Sequence, residues 1–530
     1  MVGVPGKSKA CSNCRERRLK CDLEKPYCAR CTRNGRACGG YERPRIFVHQ
    51  FQKRTSRGQT TLSPDVLSTT SHRWTFYVPP LGNSAPLDKS PDSTVHEQRQ
   101  FIACFINDFC PVLDTNLQEC DRLHHYWVYV LPHIHGAVDL LDRSILTLSA
   151  AFLGRNSNDA RLRKTSMIMY GNAIRDLGKV MSAADFYPSD IVLATIQCLG
   201  MSEMYSPPSQ EVVDHGWVSH MKGGAELLKI RGASILATKL GRDLFIRFRG
   251  VSLWAQFVFE APILLHGQPN VHTKPFAFTD PSLRSISLLA SGDSHYGMLF
   301  HLLLDIPGLL HDVNLLFTLG NNAVDRGVMA QDIFLRAVTI AESLRTWLDG
   351  FMAQYLIPYT WSSTPSEMGY SIDAFPLRFD FPNLLAAQTW IHYWAAMIML
   401  MRCIMACQTN SNAGLPSTSE FIYDYRRLAY SPNLAADIAV LDANAVALNL
   451  ADNICHSAAY SNDDDKGMSG PIMLLFPLWI AKDTYANDWS RVSRQKELYC
   501  VEVLKALDSR GMQLSGALIN HSTKNEGQTC

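Results

Sequence analysis

Cysteine thiolates are the side chains in this sequence best placed to do chemistry. Six of them crowd into the stretch CSNCRERRLKCDLEKPYCARCTRNGRAC, from Cys11 to Cys38. Cys11, Cys14, Cys21, Cys28, Cys31 and Cys38 form two copies of the spacing C-x2-C-x6-C, joined by a short loop holding Pro26. Tetrahedral zinc takes four ligands, so neither copy satisfies an ion alone. Two ions need eight ligand positions, and six thiolates fill them only when two of the six bridge both metals. The spacing therefore points to a binuclear zinc cluster. The competing reading, a disulfide knot, belongs to a secretory context, and Met1 to Lys9 is short, polar and basic with no apolar leader.

The elements that must position these thiolates are small. Besides cysteine, the stretch holds little apolar matter beyond Leu19, Leu23 and Tyr27 and cannot build a core of its own. Metal has to supply the folding free energy, and a chelator should unfold the module. Each C-x2-C pair is expected to open a short helix, whose N–H groups favour the anionic thiolate. Between Cys14 and Cys21 runs the basic segment RERRLK.

These residues resemble the fungal Zn2Cys6 binuclear-cluster transcription factors, whose motif has the same six cysteines and a basic run in the same place. The resemblance implies that Cys11 and Cys28 bridge two zinc ions, with Cys14 and Cys21 completing one site and Cys31 and Cys38 the other. It also implies that the first helix presents its basic end to the major groove of double-stranded DNA, with Arg17, Arg18 and Lys20 facing the groove. Arg18 is the expected base contact, because a guanidinium forks to O6 and N7 of guanine, in keeping with the family's CGG triplets. Arg15 and Arg33 are expected on phosphates, where they position without reading sequence.

Charge distribution agrees with a DNA-binding head. The whole chain carries 50 Lys and Arg against 49 Asp and Glu. Up to Arg57, however, fifteen basic residues stand against four acids, which leaves 35 basic and 45 acidic residues for the rest. The other nine cysteines show no pairing pattern, as expected of reduced thiols in cytosol or nucleus. The longest apolar run, Trp390 to Cys407, is interrupted by His392 and Arg402 and reads as a buried helix rather than a membrane span. Arg43, Arg45, Lys53 and Arg54 suit a nuclear-import signal or phosphate contacts equally.

Residues 1–46 are thus taken as the zinc module, and 47–94, rich in Ser, Thr, Pro, Gly and Gln, as a disordered linker. Many relatives dimerise through a heptad coiled coil at this point. No a/d pattern persists here beyond a turn, which leaves a homodimer open. Residues 95–511 read as a large all-α domain, and 512–530 as a C-terminal tail. Three stripes carry the helical reading: Tyr170, Ala173, Ile174, Leu177, Val180 and Met181; Val192, Thr195, Ile196 and Leu199; Ile333, Ala337, Ile340, Leu344 and Trp347. Each is expected to face the core. Pro188, Pro207, Pro208, Pro307 and Pro382 mark turns between helices.

The body also resembles the fungal-specific transcription factor domain. The carrying stretches, in the family's order, are YGNAIRDLGKVM from Tyr170, DIVLATIQCLGMSEMY from Asp190, HMKGGAELLKIRG from His220, Tyr393–Trp394 in IHYWAA, and FPLWIA from Phe476. The resemblance implies an all-helical regulatory region in which His220, Gly223, Gly224 and Arg231 serve packing. No GxSxG, HExxH, Walker-type loop or GxGxxG appears. His133 with His135, and Cys403 with Cys407, lack further ligands nearby and read as core or surface residues. Asp463, Asp464 and Asp465 read as a solvated loop. The expected function is therefore a nuclear, non-enzymatic, RNA polymerase II-type transcription regulator, a pathway-specific activator holding two zinc ions and reading CGG sites. Its further partners would be transcription machinery or co-regulators, with no membrane. The alternatives are a protein-interaction scaffold that retains the cluster, or an enzyme with an appended zinc module.

Overall fold

The computed structural model describes residues 10–11, 14, 19–24, 28–33, 38, 93–110, 126–134, 138–205, 216–260, 280–319, 323–354, 360–365, 370–410 and 443–523. The chain divides into two compact units, Met1–Thr69 and Thr70–Cys530.

The first unit has a core of sulphur. Cys11, Cys14, Cys28 and Cys31 are buried together, with Ala10, Cys21 and Cys38 packed around them. Leu19 and Leu23 are exposed, so the few apolar side chains form no core of their own. Cys14 is helical, and a short helix spans Ala29–Arg33.

The second unit is a helical body, and five of its helices start where the sequence supplies a side-chain cap. The Asp159 carboxylate accepts from the N–H groups of Arg161 and Leu162 at the head of the helix Ala160–Met181. Ser189 does the same for Asp190–Glu203, Ser294 for His295–Leu302 and Ser490 for Arg491–Ser509. Asp280 caps Pro281–Ser291 with proline in its first turn, the position where a missing N–H costs nothing. Pro307 likewise sits in the first turn of Ile306–Thr318. Gly467, at φ 55°, turns the chain where a Cβ would stand 2.7 Å from the Phe109 carbonyl oxygen.

At the centre lies Leu384–Asn410, which packs against Ile306–Thr318, Ala323–Gln354, Ala443–His456 and Ser469–Ala486. The apolar run expected to be a buried helix is this element. Among the described residues two stretches, His295–Thr318 and Leu384–Thr409, are long and apolar enough to cross a membrane, and 61% and 94% of their apolar windows are buried inside the fold. The polar interruptions are absorbed internally: Arg402 Nη2 donates to the Asp483 carbonyl at 3.1 Å, and the His392 ring packs 4.9 Å from that of Trp254. Two short strands, Thr360–Ser363 and Leu377–Asp380, pair antiparallel with Trp361 opposite Phe379, a small departure from an all-α body.

The stripe at 192–199 is buried throughout, and that at 333–347 is buried except for the partly covered Ile340. The stripe at 170–181 is not. Ala173 and Leu177 reach the neighbouring helix Asp139–Asn156, whereas Ile174, Val180 and Met181 lie exposed, because the buried face is narrower than the apolar arc. Residues 47–92 lie outside the described residues, and Ser93 and Thr94, placed above in the linker, begin the helix Ser93–Phe109. The segment set apart as a tail carries the helix Gln513–Thr523, with Leu514 and Leu518 buried. The acidic run is no free loop either, since Arg378 Nη1 binds Asp463 at 2.9 Å and Lys466 binds Asp465 at 2.5 Å.

Candidate metal centre and nucleic-acid interface

The six cysteines of the first unit come together as two four-sulphur groups. Cys11, Cys14, Cys21 and Cys28 make one, Cys11, Cys28, Cys31 and Cys38 the other, and within each group all sulphurs lie within 4.8 Å. Cys11 and Cys28 belong to both. Their Sγ atoms stand 3.6 Å apart, Cys14 lies 3.8 Å from Cys28, and Cys31 lies 3.9 Å from Cys11. A tetrahedron with Zn–S bonds of about 2.3 Å has edges of about 3.8 Å, so the two groups are zinc-sized tetrahedra that share one edge. None of these contacts approaches the length of a disulfide, and none of the six cysteines is disulfide-bonded.

The backbone repeats the same device in each half. The N–H of Cys14 donates to Cys11 Sγ at 3.4 Å, and that of Cys31 to Cys28 Sγ at 3.3 Å. The N–H of Cys11 donates to Cys21 Sγ at 3.5 Å, and that of Cys28 to Cys38 Sγ at 3.4 Å. These bonds favour thiolate, but crowding opposes it. Burial and neighbouring thiols push Cys14 and Cys28 up to about 12, and the Cys28 contact followed by burial does the same to Cys31. Thiols so raised keep their protons at neutral pH unless cations displace them, and this donor set fits two zinc ions.

Asp22 is the part of the site that sequence spacing missed. Its Oδ2 accepts from the Arg30 N–H at 2.7 Å and its Oδ1 from the Ala29 N–H at 3.1 Å, capping the helix Ala29–Arg33 from across the loop. Burial alone would raise its pKa; the backbone bonds from Arg30, Glu24 and Ala29 outweigh that and hold it below the usual carboxylate value. The next residue, Leu23, adopts φ 68°, and Arg30 Nη1 donates to the Lys20 carbonyl at 3.0 Å, tying the two halves. A cap seven residues from its helix leaves no local signature, and only the fold reveals it.

Among the expected DNA contacts, Lys20 and Arg33 are exposed. Arg15, Arg17 and Arg18 lie outside the described residues.

Among the described residues the metal-sized groups are the two cysteine sets, and none lies in the body. His133 is exposed, and His135 lies outside the described residues. Cys403 and Cys407 are buried in the central helix, where burial pushes both thiols up, Cys407 to about 12. His220, Gly224 and Arg231 make packing contacts instead. Tyr170 Oη and His220 Nε2 share a 2.7 Å hydrogen bond, and Arg231 Nη2 binds Asp190 at 2.6 Å with both side chains buried. A Cβ on Gly224 would stand 2.7 Å from the Phe248 ring, whereas Gly223 faces open space. A cavity of about 40 Å³ between Trp217, Trp254, His392 and Phe476 has room for a few waters and none for a metabolite.

Residues 9–45 match the fungal Zn(2)-Cys(6) binuclear cluster domain. The aspercryptin biosynthesis cluster-specific transcription regulator of Emericella nidulans is 54% identical over 39 residues, 7% of this chain and 6% of that protein. An uncharacterized protein of the same fungus is 28% identical over 148 residues, 28% of this chain and 31% of that protein. The chain thus spans less than a third of either relative. No solved structure matches.

Proposed function

We propose that this chain, whose residues 9–45 are a fungal Zn(2)-Cys(6) binuclear cluster domain, is a nuclear, sequence-specific DNA-binding regulator of transcription that reads CGG-type sites. The observation that supports the reading is the pair of sulphur tetrahedra sharing Cys11 and Cys28. In this reading Cys11 and Cys28 bridge the metals, Cys14 and Cys21 complete one site, and Cys31 and Cys38 the other. Zinc, when bound, supplies the tie that a hydrophobic core would otherwise provide.

The chain's own residues do the rest. Arg18 forks to guanine O6 and N7 and carries the sequence preference, Arg17 and Lys20 lie along the groove, and Arg15 and Arg33 neutralise phosphates. The helical body delivers the regulatory output through transcription machinery or co-regulators and carries no catalytic step. One relative is named as specific to a biosynthesis cluster; control of a dedicated gene set, by activation, is the corresponding role here.

Selection from a random DNA pool by the zinc-loaded full chain, at stated salt, tests this reading. Enrichment of CGG triplets is expected. A folded, zinc-replete chain that enriches nothing would overturn it in favour of a scaffold.

A further inference from the structure

Two buried thiols of the helical body lie side by side. Cys455 is next to last in the helix Ala443–His456, and Cys500 belongs to the helix Arg491–Ser509. Their Sγ atoms stand 3.5 Å apart across 45 residues of chain, and both side chains are buried. Sulphurs in contact at that distance need to close by only about 1.5 Å to reach the bond of about 2.05 Å in a disulfide. Such a bond would join two helices that both pack against Ser469–Ala486.

A path for the thiol proton leads outward from Cys455. The Tyr485 hydroxyl lies 3.7 Å from Cys455 Sγ and donates to Asp452 Oδ1 at 2.7 Å. Lys496 Nζ donates to both oxygens of that carboxylate at 2.7 Å, and the Asp452 and Lys496 side chains are 26% and 23% exposed. A buried thiol connected in this way can pass its proton to a carboxylate that reaches solvent. Burial pushes the Cys500 thiol well above its ordinary value, opposed by the Lys482 cation, so at rest this thiol keeps its proton. The same two helices hold the segment that leads into the strand Leu377–Asp380. His456, beside Cys455, donates through Nδ1 to the Leu377 carbonyl at 2.8 Å. From the other helix, Glu502 Oε2 accepts from the Ser371 N–H at 3.0 Å, and the Tyr499 ring meets that of Tyr370 edge-on at 5.5 Å.

We propose that Cys455 and Cys500 form a reversible disulfide, a redox-sensitive latch that ties the two helices together and tightens their hold on residues 370–380, with a hydroperoxide as the oxidant. Cys455 Sγ, its proton drawn off through Tyr485, attacks one peroxide oxygen and becomes a sulfenic acid, and ROH leaves. Cys500 then displaces water from that sulphur. Two S–H bonds and one O–O bond thus become one S–S bond, ROH and H2O. A small thiol reverses the step by exchange and is itself oxidised to its disulfide. In a reducing compartment a bond of this kind is transient and serves sensing. The latch is independent of the DNA-binding reading.

Hydrogen peroxide added to the full, zinc-loaded chain, followed by alkylation of remaining thiols and peptide mapping without reductant, tests the latch. The expected product joins the Cys455 and Cys500 peptides, weighs about 2 Da less than the two thiol peptides together, and is split by dithiothreitol. Amide hydrogen exchange across residues 370–380 should slow in the linked chain. Cys500→Ser should abolish the link and the slowed exchange together. Tyr485→Phe should slow linking severalfold in the folded chain but not in denaturant; equal rates in the folded chain would overturn the proton path. Thiols that react only after urea unfolds the body, or that pass to sulfinic acid without linking, would overturn the proposal. So would a linked chain with unchanged exchange at 370–380, because nothing would then be latched.

Discussion

Cys11 and Cys28 sit in both sulphur groups, so losing either removes a ligand from two sites at once. Cys11→Ala or Cys28→Ala should leave fewer than two zinc ions per chain and an unfolded module, by metal analysis and cysteine accessibility. Cys38→Ala touches one group only and should spare the other. Two ions retained in Cys28→Ala would contradict the bridging role. Arg18→Ala should cost about 1–3 kcal/mol of discrimination against the wrong base, whereas Arg33→Ala should weaken specific and random probes alike. Equal losses for both variants would recast Arg18 as a phosphate contact. The cysteines were legible because metal coordination restricts both residue type and spacing. Asp22 was not, because its partners Ala29 and Arg30 reach it only after the intervening loop has folded back.

Adjacent glycines in the helix Gly216–Arg231 separate packing from mere helix membership. Gly224→Ala drives a methyl against Phe248, whose ring is buried, and should cost about 1–3 kcal/mol in the body's denaturation midpoint. Gly223→Ala enters open space on an exposed face and should stabilise by up to about 1 kcal/mol. Similar effects from the two would mean that Phe248 moves aside. Helix existence was readable from periodicity, as at 192–199. Periodicity cannot tell which arc finds a neighbour, however, and the stripe at 170–181 therefore split between core and surface.

The two units rest on different forces, and conditions should separate them. A chelator should abolish DNA binding while leaving most helical circular dichroism, since the body's core is apolar side chains. Simultaneous loss of both signals would mean that the body depends on the metal. Acid acts on the body as well as on the cluster. Burial lowers His220 to about 4 and His392 to about 3. Between their ordinary value near 6.5 and those folded values, the unfolded chain binds the proton that the native state refuses, so stability rises with pH across that window. The body's urea midpoint should fall as pH drops below about 6.5, and His392→Gln should flatten that slope. An unchanged slope would assign the acid sensitivity to other groups.

By itself the sequence determined the zinc cluster, the order of basic head and helical body, and the burial of the long apolar helix. Each of these is written in residue type and local spacing, because coordination number, charge and helical period act over a few residues. Tertiary structure alone decided that Asp22 caps a helix from a distance and that Arg231 is matched by Asp190 across 41 residues. It also decided that Ile174 and Met181 face outward. Those outcomes depend on which surfaces meet when the chain closes on itself, and no local pattern encodes that.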